Sequence, residues 1–413
     1  MRFPLTVALL CACVPLFAAC SGGGSSGGAG SMPGFAAPAA VAPIGGPGHA
    51  ASPFPMPSGT GTPGPTAPPS PTASPGGPQE AFGVGCTHFR TNPMCAGLPA
   101  TPAVSAQSAL WADEQRQPAT AMRFAGLHVM LPPAFGDTFD GSEPTYVLPS
   151  GSGIAHVLNC GGFSWSIWAC ERAHLQGATV FVPAESYPEG SSDRHLAWND
   201  DANRREIDLF AASRPDDRSG SPLDVGAAGQ CAYDGDGTNC SMSTATNIAT
   251  SLGTIDPTLV AAAESDPHGS LPYAISASAL CADRSFVYPA TASDGGNTDG
   301  FPACAGRTAP GMRPPEGVRF FLDLGDAQID ATTNAPYVKV ILRTLDREHF
   351  GGVITDTNWY GATGLAFQFM RGGWTTIARS EAGVTGNGDA TLPITTDGID
   401  VRSALTFCSN GTC

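Results

Sequence analysis

Lysine is almost missing from this chain of 413 residues, where Lys339 is the single one. Basic side chains number 20 against 36 acidic ones, a formal net charge of −16, and no Lys/Arg cluster is visible. A nucleic-acid-binding surface needs a basic patch, so no nucleic-acid partner is expected. The same charge argues against strongly charged polyanionic glycans and suits neutral or cationic partners. After Phe17 no apolar run reaches the length that a bilayer-spanning helix requires. The folded region also lacks a G-x-S-x-G elbow, a P-loop, an H-E-x-x-H pair and a dinucleotide fingerprint. Serine hydrolase, kinase and zincin chemistries are therefore disfavoured. The cysteines show no C-x2-C spacing and no paired histidines, so zinc held by cysteine is a poor reading.

What is present begins with an export signal over residues 1–19. Arg2 supplies a positive start, Phe3–Phe17 is apolar, and Ala18-Ala19 precede Cys20. A cysteine at that point followed by Ser21-Gly22-Gly23-Gly24 resembles the lipobox of bacterial lipoproteins, with Phe17 a departure from the usual small or aliphatic residue. The resemblance implies that Cys20 is lipidated, so the chain is expected to be exported and anchored to a bacterial outer membrane or cell surface by lipid alone. Plain secretion with Cys20 a spare thiol is the alternative. Residues 20–80 are rich in Gly, Ser, Pro and Ala and carry almost no charge until Glu80. Such a segment buries too little apolar surface to offset its ordering entropy and reads as a disordered tether. Random-coil scaling gives it a reach of about 40 Å.

Residues 81–413 are expected to form a single β-rich domain and to act as a monomer. Of 13 cysteines, Cys11 and Cys13 leave with the signal and Cys20 takes the lipid, so ten remain. An even set in an exported chain reads as disulfides. Proximity suggests Cys86–Cys95, Cys160–Cys170, Cys231–Cys240 and Cys408–Cys413, with Cys281–Cys304 the fifth.

Strand-like runs dominate: Ala178–Pro183, His195–Trp198, Glu206–Phe210, Tyr273–Ala277, Phe286–Tyr288, Val318–Leu324, Gly352–Thr355 and Leu365–Phe369. Val318–Leu324 partly alternates, as a strand with one buried face would. Helices are few. Ala335–Leu345 repeats apolar residues at helical spacing behind Pro336, and Asp256–Glu264 has an Asp N-cap followed by Pro. The class expected is mainly β, a disulfide-stapled β-sandwich or jelly-roll-like fold with a few short helices.

The densest polar constellation runs from Asp193 and His195 through Asp200-Asp201 to Glu206 and Asp208. If His195–Trp198 and Glu206–Phe210 pair as a hairpin, Asn199–Arg205 is its loop, and Glu206 and Asp208 share one face. A histidine beside carboxylates serves general base chemistry, and a carboxylate pair serves as acid and base. The plain alternative is a solvated hairpin whose aspartates make the turn. Asp356, Asn358, Trp359 and Tyr360 place an acid, an amide and two rings at a strand end, a mix suited to stacking on and hydrogen-bonding a sugar. A surface turn with packed aromatics is the alternative there. Trp165 lies between Cys160 and Cys170 and either meets a ligand or lines the core. Asp234–Asn239 resembles the start of a calcium loop, but Ala245 stands where the bidentate glutamate belongs. A turn is the better reading, Ca2+ is the weaker one, and no other cofactor is implied.

A set of short motifs in order resembles a family of uncharacterised bacterial exported proteins. They are Asp193-Arg194-His195-Leu196, Glu206-Ile207-Asp208-Leu209-Phe210 and Phe286-Val287-Tyr288-Pro289-Ala290. Pro314-Pro315-Glu316-Gly317-Val318-Arg319-Phe320, Val340–Leu345 and Val353–Asn358 follow, so that the resemblance covers residues 178–370. It implies a secreted β-rich protein found with carbohydrate-degrading sets. Tyr273 stands where relatives carry a second histidine, which implies a tyrosine in that role or an inactive member, with His268 a substitute candidate. The expected function is action on an extracellular polysaccharide or cell-wall glycan, of hydrolase or lyase type. Asp193 and His195 would work with Glu206, Asp208 or Asp356, and Tyr273 and Asn358 would join the contacts. The alternative is a non-catalytic glycan- or surface-binding lipoprotein using Trp165, Trp359 and Tyr360.

Overall fold

The computed structural model describes residues 84–413 except 116–126, 132–144, 149–151, 161–169, 171–172, 185, 189–193, 239, 242–243, 297–303, 305–308, 358–364, 369–372, 387, 393 and 395–403. The export signal, Cys20 and the tether lie outside the described residues, as do Trp165, Asp193, Asn358, Trp359 and Tyr360. Among the described residues the chain is mainly β with few short helices, and five disulfides staple it.

Two sheets share a core. One is four-stranded, with β2 (Thr145–Leu148), β5 (Leu196–Asp200), β6 (Arg205–Phe210) and β8 (Ala227–Ala232) in that order. The other has β3 (Ile154–Asn159) between β4 (Thr179–Val182) and β7 (Ser221–Asp224). Tyr146, Leu196, Trp198, Ile207 and Leu209 of the first pack with Leu158, Val180, Val182 and Leu223 of the second. Each strand presents these residues at period two, so the apolar faces close on one another as a sandwich. Both sheets are mixed, since β2 runs parallel to β5 and β3 to β7.

A five-stranded sheet forms the rest of the frame. It has the order β14 (Ala366–Phe367), β9 (Ile275–Ala279), β13 (Gly352–Thr357), β12 (Arg319–Leu322), β16 (Leu405–Phe407). Two short pairs complete the strands: β1 (Leu127–Leu131) with β15 (Gly388–Leu392), and β10 (Asp283–Phe286) with β11 (Pro315–Glu316). Among the described residues the helices are α1 (Val84–His88), α2 (Ser108–Glu114), α3 (Pro257–Ala263), α4 (Asp326–Asp330), α5 (Pro336–Leu345) and α6 (Thr375–Ser380).

Both expected helices form. In α3 the Asp256 carboxylate accepts from Thr258 N at 2.7 Å and Leu259 N at 3.4 Å, satisfying donors that a helix start leaves open. Helix α5 is buried more widely than one stripe, from Tyr337 and Val338 through Leu345. Strand β12 differs from its expected half-burial, because all four residues are buried. It is central, between β13 and β16, and its second face carries Arg319.

Arg319 is 1% exposed and is met by carbonyls. Its Nε donates to Phe350 O at 2.9 Å, Nη1 to Pro93 O at 3.1 Å and Nη2 to Ala96 O at 2.6 Å, with a further short bond from Nη2 to Phe350 O. Burial pulls its pKa down to about 10, still far above neutrality, so the guanidinium stays charged. Replacing it leaves buried carbonyls without donors, each costing about 1–3 kcal/mol. Arg319→Met is therefore expected to lower unfolding stability by at least about 3 kcal/mol, and Arg319→Lys by less, in urea denaturation. Asp256→Ala is expected to cost about 1 kcal/mol in the same assay.

Candidate functional site

Strand alternation decides which side chains meet. The β5–β6 register pairs Ala197 with Asp208 and Asn199 with Glu206, so His195, Asn199, Glu206 and Asp208 share one face. Neighbouring strands add Thr145 opposite Ala197 and Gly229 opposite Asp208. The sandwich core holds the apolar face, and this second face is polar yet closed: Thr145, Asn199, Glu206 and Asp208 are all buried. The segment Thr246–Ser251 is also buried, and its far end bonds Glu206.

Glu206 accepts from Ser251 N at 3.0 Å and, in a short bond, from Ser251 Oγ. Those bonds favour the carboxylate, and burial opposes it. Burial wins, with the Asp208 charge adding to it, and the carboxyl is pushed up to about 7. His195 differs from its neighbours in reaching solvent. Its side chain is 16% exposed, and Nδ1 lies 3.7 Å from Oδ1 of fully buried Asp208. The Phe210 ring, 5.3 Å away and edge-on, borders the imidazole. At that separation the contact is an ion-pair approach and not a hydrogen bond, and it brings a histidine and a carboxylate together as acid–base chemistry requires.

The hairpin loop is shorter than the expected Asn199–Arg205. Strand β5 runs to Asp200 and β6 starts at Arg205, leaving the turn to residues 201–204, with Arg204 at φ +53°. Asp200 is buried and accepts from Asn203 Nδ2 at 2.7 Å and Arg205 Nε at 3.4 Å. Asp201 faces outward. It accepts from Tyr233 Oη at 3.0 Å and lies 3.4 Å from His88 Nε2, while the His88 ring stacks on Tyr233 at 3.7 Å. The Tyr233 hydroxyl also reaches Asn199 at 3.1 Å, tying the polar face to the surface. His88, Tyr233 and Ser251 were not legible as partners, because they are far from the hairpin in sequence.

Asp356 does not join this group. It lies on β13 of the five-stranded sheet, and its charge acts on Glu316, as does the carboxyl of Asp294. Tyr273 corrects the expectation of a ligand contact. It is 3% exposed in the core, and its hydroxyl donates to Thr254 O at 2.9 Å, so the ring has no face open to a ligand. His268 is surface-bound to Asp326, 2.8 Å away. Asp236 of the calcium-like loop accepts from Thr238 N, Thr238 Oγ1 and Tyr288 Oη. Among the described residues no group of three His, Cys, Asp or Glu is arranged to hold a metal ion. Ser221 lies 3.0 Å from His156 Nδ1, but Ser221 itself donates to Asp216 at 2.6 Å, so the acid takes the serine proton and does not orient the histidine.

Comparison with protein-family models, with curated proteins and with solved structures finds no match to this chain.

Glu206 gives a pH signature. Its folded pKa, about 7, lies above the usual carboxylate value of 4.5, so the folded state holds the proton more tightly. That contribution is fully present below pH 4.5 and is lost as pH rises through 7. Its total is on the order of 3 kcal/mol. Glu206→Gln should flatten the fall in stability between pH 4.5 and 7, measured by denaturation at stepped pH; an unchanged slope would refute the assignment.

Proposed function

We propose that this domain is an acid–base enzyme acting on an extracellular polysaccharide or cell-wall glycan, of hydrolase or lyase type. One observation carries it: a partly exposed His195 backed at 3.7 Å by a fully buried Asp208 on the same sheet face. His195 transfers the proton at the glycosidic linkage or sugar ring, with the Asp208 carboxylate beside it. Glu206 has no exposed surface and is a positioning residue, keeping Ser251 and the covering segment against the sheet. The chemistry of hydrolysis fits a neutral glycan better than elimination from a polyuronate does, given 36 acidic against 20 basic side chains.

The setting is proposed with it. Cys20 anchors the chain by lipid to an outer membrane or cell surface, and the Gly/Ser/Pro tether carries the domain out to its substrate. Five disulfides suit an oxidising exterior.

The test is digestion of a glycan panel. Wild type releases product from at least one member, and His195→Ala lowers the rate by about 10²–10⁴. Asp208→Asn is expected to reduce turnover with little effect on KM, since it acts through the histidine. No product from any glycan, with undiminished retention on one of them, would replace the enzyme by a binding lipoprotein.

A further inference from the structure

The loop after β16 holds an asparagine in a reactive setting. Asn410 is exposed, and Gly411 follows it inside the loop that the Cys408–Cys413 disulfide closes. The start of that loop is fixed, because Phe407 and Cys408 are buried and Cys408 N donates to Arg319 O at 2.9 Å. Ser409 N donates to Ala103 O at 2.7 Å, Ala103 N to Cys413 O at 2.9 Å, and Arg319 N to Asn410 O at 3.3 Å. Gly411 itself is buried. A Cβ there would sit 1.8 Å from Tyr288 O and 2.6 Å from the carbonyl oxygen of Gly317, which turns at φ +84°. The packing therefore demands glycine after Asn410.

That demand has a chemical consequence. The backbone nitrogen of the next residue can attack an asparagine side-chain amide and close a five-membered ring, and a side chain on that next residue is the steric barrier. Glycine removes the barrier. The hydrogen bonds of the turn act in the same direction. Asn410 Oδ1 accepts from Thr412 N at 2.9 Å and from Thr412 Oγ1 at 3.0 Å, using both of its lone pairs. The first bond closes a ring that contains both Asn410 Cγ and the Gly411 nitrogen, so the two reacting atoms belong to one turn. Two donors on Oδ1 draw charge from Cγ and stabilise the oxyanion that attack would create there. Thr412 is exposed as well, so the turn is open to water.

We infer that Asn410 is a self-modifying site, which converts to aspartate and isoaspartate through a cyclic imide. Gly411 N bonds to Asn410 Cγ and gives its proton to solvent, while Nδ2 takes up a proton and leaves as ammonia. Water then opens the ring. Attack at Cγ breaks the new carbon–nitrogen bond and gives aspartate, and attack at the main-chain carbonyl breaks the original peptide bond and gives isoaspartate. Either product adds negative charge to a chain whose formal net charge is already −16. Isoaspartate also inserts a methylene into the main chain beside the Arg319 N contact, within a loop closed over a separation of five residues. The change is one-way and records the age of each molecule. It is independent of the chemistry proposed at His195.

The test ages the folded, oxidised chain at physiological temperature in mildly alkaline buffer made with heavy-oxygen water, followed by reduction and tryptic digestion in ordinary water. Cleavage after Arg402 releases a peptide containing Ser403 to Cys413, in which Asn410 is the single side-chain amide. The amide is expected to be replaced by a carboxyl carrying heavy oxygen, with isoaspartate detected by enzymatic methylation, at a rate no slower than in the free peptide of residues 403–413. Thr412→Val, which keeps the side-chain shape and removes the hydroxyl donor, should slow conversion in the folded chain at least twofold. Asn410→Gln, whose cyclic imide would need six members, should slow it at least tenfold. Thermal melts matching fresh wild type confirm that both variants are folded. An amide retained in the folded chain while the free peptide converts would overturn the inference, as would an unchanged rate in folded Thr412→Val.

Discussion

The buried Arg319 guanidinium ties distant parts of this fold to one another. Among the described residues it has no carboxylate partner. It is satisfied by main-chain carbonyls from the N-terminal segment, at Pro93 and Ala96, and from the loop before β13, at Phe350. A planar fork with several donors suits three carbonyls arriving from different directions, and a lysine ammonium does not reproduce that spread. Because Arg319 begins β12, the contact also sets the preceding Gly317 turn, and with it the position of Glu316. The N-terminal segment is docked further by Ala274 N donating to Met94 O at 2.7 Å, next to the start of β9.

The four-stranded sheet is unusual in closing both faces with opposite chemistry. Its apolar face completes the sandwich, and its polar face buries a glutamate, an aspartate, an asparagine and a threonine. Burying such groups is unfavourable unless each is bonded or neutral. Glu206 meets the condition by holding its proton up to about pH 7 and by taking both donors of Ser251. Asn199 bonds Tyr233, and Asp208 lies by His195. Glu206 and Asn199 thereby link the polar face to later parts of the chain, at Ser251 and Tyr233.

Local patterns were legible and distant partnerships were not. The hairpin β5–β6, the Asp256 cap, helix α5 and the cysteine pairs each depend on residues close in sequence, the widest cysteine separation being 23. Strand β8 (Ala227–Ala232) went unrecognised because Ala-Ala-Gly-Gln-Cys-Ala has no β-branched or aromatic residue; β6 imposes its conformation. Glu316 was hidden by Pro314, Pro315 and Gly317, which read as a strand edge and a turn, and its acid partners come from 22 and 40 residues away. Alternation put Glu206 and Asp208 on one face, yet nothing in the hairpin revealed that Ser251 would cap the first.

The disulfides share an order that has a consequence for biogenesis. Every bond joins consecutive cysteines of the described chain, at separations of 9, 10, 9, 23 and 5 residues. A chain threaded out N-terminus first would therefore offer each thiol its correct mate as the very next one to emerge. On that route, pairing each thiol with the next to emerge would give the native connectivity. One thiol threatens that sequence: Cys20 precedes Cys86 and, left free, would be the first mate presented to it. Acylating that sulfur would remove the competitor, so the anchor would double as a guard on pairing fidelity.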